Sequence, residues 1–408
     1  MSVTFMHVAD LHLDHPFKGQ ADLPETIRQR LRKSTFTALD RLVSVAIQHK
    51  VHFVLLAGDI FDEENRSLRA QVRLKAAFQK LQEAGIDVFM IHGNHDALEG
   101  EWHSIAFPEN VHIFGATPEM LSFIKEDVKV NVYGFSYATR HVKENIVTHY
   151  DKKAGADYHI GLLHGAVRDN SEQNHYAPFS ISELLSKEFD YWALGHIHSE
   201  QWLHQEPPVI YSGALQGLSP RETGDKGFYI VTLMEKRCET VFISVADILW
   251  EHVKMNIEKF ITMNELISEL DKIKEEVRHK DSGVLLRLEL TGNGQLGEEL
   301  TDPQTVEELQ EALQQMEDDR ENFVWLYSIQ NTALMNDYEE QELKDSQFLG
   351  DLMQLKESVM SGGHLDALYA HHQARRFLMP LTMNEKAEIA DAAERLLMET
   401  LHRNIFME

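Results

Sequence analysis

Five short apolar runs, rich in β-branched and aromatic residues, recur along the first half of the chain: Val3–Val8, Phe53–Ala57, Val88–Ile91, Ile160–Leu163 and Tyr191–Leu194. Their length and composition predict buried strands, and each gives way at once to polar or glycine-containing sequence. Helical periodicity fills the intervals. Residues 25–48 set Ile27, Leu31, Leu39, Leu42, Val43 and Ile47 near helical spacing, and residues 67–83 do the same with Leu68, Val72, Ala76, Phe78 and Leu81 before Gly85. Ser180-Ile181-Ser182-Glu183 is a capping box that opens a third helix. Strand alternating with helix, followed by shorter strands to about Ile248, predicts an α/β layered domain.

The pattern changes near residue 256. A helix over 263–278, a strand Val284–Leu290, a helix opened by Asp302-Pro303 and running to about Glu317, and a strand Phe323–Ile329 predict a small α+β domain. A polar stretch, Asn336–Asp345, then leads into an all-helical tail whose last helix carries Ala390, Ala393, Leu397 and Leu401 on one stripe. The expected division is 1–255, 256–335 and 336–408. The stripe serves either packing within its own domain or docking of a partner.

A single cysteine, Cys238, excludes an internal disulfide and argues against thiolate metal chemistry. No cleavable leader and no run of 18 apolar residues is present, so a cytoplasmic chain with no membrane partner is expected. The net charge of -27 is uneven: residues 1–250 carry 24 basic and 33 acidic side chains, net -9, and the rest carry 15 and 33, net -18. Between Glu289 and Asp345 lie 16 carboxylates against Arg320 and Lys344, a segment unsuited to lying on a polyanion.

The candidate chemistry sits where the five strands end. The segments are Asp10-Leu11-His12, Gly58-Asp59-Ile60-Phe61-Asp62, Gly93-Asn94-His95-Asp96, Leu163-His164-Gly165 and Gly195-His196-Ile197-His198. Strand-end loops project side chains into one crevice while buried strands fix their positions. Asp10, His12 and His198 suit one divalent ion and Asn94, His164 and His196 a second, with Asp59 bridging them because two close dications need an anion between them. Such a pair activates water and clamps phosphoryl oxygens during in-line displacement. Mixed imidazole, carboxylate and amide donors favour manganese, iron or zinc over magnesium or calcium. His95, beside a ligand, is placed to protonate the leaving oxygen or stabilise the transition state. Asp62 either orients that imidazole or caps its own loop. Arg28, Arg32, Lys33, Arg66, Arg69, Arg73, Arg140 and Arg168 are either phosphate contacts or solvated surface groups.

These motifs, with Tyr211–Gln216 and Gly227–Val231, resemble the calcineurin-like metallophosphoesterase superfamily over roughly residues 1–335. Within it they look like the SbcD branch, bacterial relatives of the Mre-type DNA repair nuclease, and most like the YhaO proteins. The resemblance implies a four-layer sandwich of two mixed sheets flanked by helices, with a capping domain. It also implies manganese dependence, exonuclease and endonuclease action on DNA, single-stranded or at duplex ends, and an SbcC-like coiled-coil ATPase gripped by the helical tail. A homodimer is a further partner it admits. Two positions depart from the pattern: Asp62 stands where archaeal and eukaryotic relatives have histidine, and Asp14 replaces a common glycine. The same ligand set also suits a small-nucleotide phosphodiesterase or pyrophosphatase, or a catalytically weak scaffold of an ATPase complex.

Overall fold

A computed structural model describes residues 2–331 except 63–65, 100–104, 126, 169–175, 236, 293 and 298, together with Lys386, Ile389, Ala390 and Ala393. The expected partner-docking stripe of the tail lies otherwise outside the described residues. The first sheet contains β1 (Ser2–Val8), β2 (Phe53–Ala57), β3 (Asp87–Ile91), β4 (Val111–Ile113), β11 (Gly227–Met234) and β12 (Arg237–Ser244), in the order β12-β11-β1-β2-β3-β4. The second contains β5 (Glu119–Lys125), β6 (Val128–Gly134), β7 (Tyr158–His164), β8 (Tyr191–Gly195), β9 (Gln201–His204) and β10 (Val209–Tyr211), in the order β5-β6-β7-β8-β10-β9. Both are mixed, with a parallel centre: β1 to β4 in one, β6, β7, β8 and β10 in the other.

Side-chain alternation along the strands builds the layers. Val3 and Phe5 of β1 and Phe53, Leu55 and Ala57 of β2 share one core with Val130, Val132, Ile160, Leu162, Tyr191 and Ala193 of the second sheet. The alternate residues Met6, Val8, Val54 and Leu56 face a different core, formed with the helices α2 (Ser34–His49) and α3 (Leu68–Glu83). The outer face of the second sheet covers Leu163, Trp192 and Leu194 with Leu184 of α4 (Ile181–Leu185). The expected sandwich is thus realised as two six-stranded mixed sheets with helices on their outer faces. His7 falls on the inter-sheet face of β1, where its ring bonds the Tyr191 hydroxyl and the Leu194 carbonyl, both at 3.0 Å. Burial lowers its pKa to about 3, against the Leu194 bond, so it stays neutral.

The helix expected over 25–48 is two: α1 (Glu25–Leu31) ends at Arg32, and α2 starts after Lys33. The reason is that their apolar faces serve different cores. Ile27 and Leu31 pack with Ile248, Trp250, Leu285 and Phe323, whereas Phe36, Leu39 and Leu42 pack under the first sheet. Ile47 is 40% exposed, and in α3 Leu68 and Val72 are 60% and 52% exposed. The buried stripe of α3 is instead Ala70, Leu74, Ala77, Phe78 and Leu81. The capping box at Ser180 is present with both its hydrogen bonds.

A third sheet, in the order β13-β14-β15, joins β13 (Ile248–Asn256), β14 (Gly283–Thr291) and β15 (Val324–Asn331); α5 (Met263–Val277) and α6 (Pro303–Gln314) lie between these strands in sequence. The boundary expected after residue 255 falls inside β13. The chain divides into two compact units, one of Met1–Val253, Ile267–Leu288 and Glu307–Ile329, the other of Lys254–Leu266, Glu289–Val306 and Gln330–Glu408. In the first, Gln216 of the Tyr211–Gln216 segment is buried and its side-chain Oε1 accepts from the Asp247 and Ile248 amides at 3.0 and 3.3 Å, fixing the entry to β13. In the second, the Ile257 amide donates to Thr291 at 2.8 Å, and Lys254 pairs with Glu289 at 3.0 Å. Among the described residues no helix is long and apolar enough to cross a membrane.

Candidate metal centre

The five ligand segments leave the carboxyl ends of β1, β2, β3, β7 and β8. Asp10, His12, Asp59 and His196 all adopt positive φ, at 50, 39, 51 and 104°. Each such residue costs about 1–3 kcal/mol and persists only where its surroundings over-determine it. Here a continued ladder does so: the Asp10, His12 and Leu13 amides donate to Gly58, Asp59 and Ile60 carbonyls at 3.0–3.1 Å, locking the two loops together. Glycines make the space for His164. A Cβ on Gly58 would sit 2.4 Å from its Nδ1, and one on Gly93 would sit 2.3 Å from Asp59 Oδ1 and 2.7 Å from His164 Nε2.

Two sets of donor atoms result. His12 Nε2 faces His198 Nε2 at 3.1 Å, and Asp10, His12 and His198 form one group that can hold a cation. Asn94 Oδ1 lies 2.9 Å from His164 Nε2 and 3.1 Å from His196 Nδ1. Asp59 stands between the sets, its Oδ2 3.7 Å from His12 Nε2 and 3.4 Å from His164 Nε2, while its Oδ1 accepts the His95 amide at 2.9 Å. Donors about 2.1 Å from one ion and at right angles to each other would be about 3 Å apart, the spacing found here. Imidazole nitrogens and amide and carboxylate oxygens aimed at one another, with no fixed cation among them, fit two divalent ions. All seven expected ligands are brought together.

The electrostatics agree. Burial, aided by neighbouring imidazoles, lowers the pKa of His12 and His196 to about 3, so both are neutral donors at neutral pH. Burial opposes charge on His164 and His198 too, but carboxylates outweigh it: Asp59 and Asp10 raise His164 to about 9, and Glu222, Asp10 and Asp59 raise His198 to about 9. Asp10 is pushed up to about 6 by burial, against the pull of His198 and His164. Asp59 is held well below the ordinary carboxylate range, because His164 and His12 overcome its burial. Protons on His164 and His198 would have to leave for an ion to enter.

His95 stands at the edge, half-buried, its ring 5.0 Å from that of His12. Its Nδ1 is shielded from water and has no hydrogen-bond partner among the described residues. Asp62 makes no hydrogen bond to this ring. That carboxylate accepts instead from His15 Nδ1, whose hydrogen bond overcomes burial and lowers Asp62 to about 2. The reason is reach: the left-handed turn through His12 and Asp14 swings His15 over the Asp59–Asp62 loop. Several arginines considered for phosphate contacts are in ion pairs: Arg28 with Glu25, Arg69 with Asp14 at 3.4 Å, Arg73 with Asp40 at 2.5 Å and Arg168 with Glu183 at 4.0 Å.

Several supporting residues carry no sequence signal of the role they play, although Tyr211 opens the Tyr211–Gln216 segment. Glu222 accepts from His198 Nδ1 at 3.1 Å, from a loop 24 positions away. The Tyr137 hydroxyl donates to the His164 carbonyl at 3.0 Å and that of Tyr211 to the Gly165 carbonyl at 2.7 Å, pinning this turn. Asp96 lies inside the Gly93–Asp96 motif. It accepts from the Gly93 and Ile60 amides at 2.6 and 2.9 Å, and so joins the two central ligand loops.

Comparison with known proteins accords with this geometry. The calcineurin-like phosphoesterase family matches residues 3–200, and the middle domain of metallophosphoesterase YhaO matches residues 250–333. The chain is 39% identical over 405 residues, 98% of each chain, to an uncharacterized metallophosphoesterase YhaO of Bacillus subtilis. It is 24% identical over 285 residues to a DNA double-strand break repair protein Mre11 of Methanocaldococcus jannaschii, covering 67% of this chain and 74% of that one. For the Mre11 protein of Saccharolobus solfataricus the figures are 23% over 314 residues, 68% and 78%. With a ligand set of the required chemistry at its strand ends, the chain belongs to the calcineurin-like metallophosphoesterases, alongside YhaO, and is a metal-dependent phosphoester hydrolase.

Proposed function

We propose that this hydrolase is a manganese-dependent nuclease that cuts DNA phosphodiester bonds, as exonuclease and endonuclease on single strands or duplex ends. Its setting would be DNA repair in the cytoplasm, beside an SbcC-like coiled-coil ATPase gripped by the tail after residue 336. The observation that carries the reading is the reach of the Mre11 likeness. At 285 residues it is longer than the stretch 3–200 that matches the calcineurin-like phosphoesterase family. A small-nucleotide phosphodiesterase needs no such extension.

When bound, two divalent ions supply a nucleophilic water at neutral pH and offset charge on the phosphoryl oxygens. Asp10, His12 and His198 would hold one, Asn94, His164 and His196 the other, and Asp59 both. The rest of the work falls to the chain. The His95 backbone amide donates a hydrogen bond to Asp59 Oδ1, which fixes the backbone that carries this ring at the edge of the site, and His95 delivers a proton to the leaving oxygen. The half-buried rings of His95, His196 and His198 mark the side from which substrate enters.

The test is the full-length protein with manganese, offered labelled single-stranded and duplex DNA beside bis-p-nitrophenyl phosphate and cyclic nucleotides. Cleavage of DNA is expected. Cleavage of the small substrates alone overturns the nuclease reading, and two bound ions with no turnover on any substrate would identify a scaffold.

A further inference from the structure

The two metal positions are not supported alike. His164 donates its Nδ1–H to a neutral group, the Ala57 carbonyl, at 2.9 Å. His198 instead places Nδ1 3.1 Å from a carboxylate oxygen, Glu222 Oε1. Asn94 is neutral where the other position has Asp10. Asp10 also lies 3.9 Å from His164 Nδ1, so the carboxylate that belongs to one position alone is Glu222, behind His198.

Glu222 is itself held. Its Oε2 accepts the Leu218 amide at 3.0 Å, and its own amide donates to the Ser219 carbonyl at 3.0 Å. The loop bearing it is fastened at both ends to Trp250 of β13: the indole Nε1 donates to the Gly217 carbonyl and the Gly224 amide donates to the Trp250 carbonyl, each at 3.1 Å. Trp250 is buried and packs edge-on against Tyr327 of β15 at 5.5 Å. A carboxylate anchored this firmly fixes both tautomer and ring orientation, presenting Nε2 toward His12.

We propose that Glu222 is a positioning residue that sets His198 as an Nε2 donor and makes the Asp10–His12–His198 position the tighter of the two. The inference rests on the dinuclear reading of the site. Metal-free full-length protein titrated with manganese chloride by calorimetry will show two resolved steps. Glu222→Gln, which keeps shape and removes charge, will weaken the tighter step about 10–100-fold while leaving the weaker step and the melting temperature unchanged. Glu222→Asp will recover part of the loss. His196→Ala, which removes a ligand of the other position, will leave one step that Glu222→Gln still weakens. Wild-type affinity for both ions in Glu222→Gln overturns the proposal, as does a loss confined to the weaker step or a single unresolved step in the wild type. Failure of the wild type to bind two ions would instead sink the dinuclear reading itself.

Discussion

Two buried carboxylates, Asp59 among the ligand loops and Glu317 beside α5 and β15, are kept ionised by different means. Glu317 is 3% exposed. It accepts from both terminal nitrogens of Arg278 at 2.9 and 3.0 Å and from the Val324 amide at 2.9 Å, with the Lys274 ammonium 3.3 Å away. Burial raises its pKa, but these partners outweigh burial and hold it at about 2. Asp59 is equally buried and also held below the ordinary range, yet its countercharges are the imidazoles of His164 and His12. The partners of Glu317 are permanent cations, so that group is complete as a structural element. Of those of Asp59, His12 is already neutral and His164 must lose its proton before it can ligate, so only an incoming cation completes the group. Asp247, bound by Arg30 at 2.9 Å and Arg41 at 3.3 Å, belongs with Glu317.

The contrast is broken most sharply at Asp59. Asp59→Asn removes the shared anion, and both manganese-binding steps are expected to weaken by more than about 100-fold, beyond the loss of a merely supporting group. Retention of two ions in metal analysis of that variant would refute the bridging role. His95→Ala should lower turnover on bis-p-nitrophenyl phosphate by about 10²–10⁴-fold while two ions per chain are retained. Loss of metal would make His95 a ligand.

Glu317→Gln tests the other side: urea denaturation should report a loss of about 3 kcal/mol, with manganese affinity unchanged. Its pKa is depressed on folding, so its stabilisation is full above the ordinary 4.5 and disappears as pH falls toward about 2. The variant's stability should consequently fall less steeply over that window. At the metal centre the sign is opposite. His164 and His198 are raised to about 9, so metal-free protein keeps those protons at pH 7, and manganese affinity should climb as pH approaches 9. Calorimetry in two buffers of different ionisation enthalpy will detect the released protons; none released would mean the rings are already neutral. The smallest effect is expected at Asp62. Because it holds His15 and not His95, Asp62→Asn should change turnover within about tenfold, and a loss as large as that of His95→Ala would restore it to the catalytic machinery.

The sequence by itself determined which donor residues stand at the strand ends, because each part of that signal is local. An apolar run long enough for one buried strand, then glycine, aspartate, asparagine or histidine, fixes a strand end and its donor types within a few residues. Ser180 and Glu183 were legible for the same reason, since a capping box closes over three positions. Only the tertiary structure decided what supports those donors. Periodicity records that Ile27 and Leu39 are apolar, but not that they enter different cores, which is why one expected helix is two. Likewise nothing near Glu222 announces His198, and nothing near Asp62 singles out His15 over His95. These pairings join residues 24 and 47 positions apart, and are set by how strand ends and loops meet in space, a geometry no local pattern encodes.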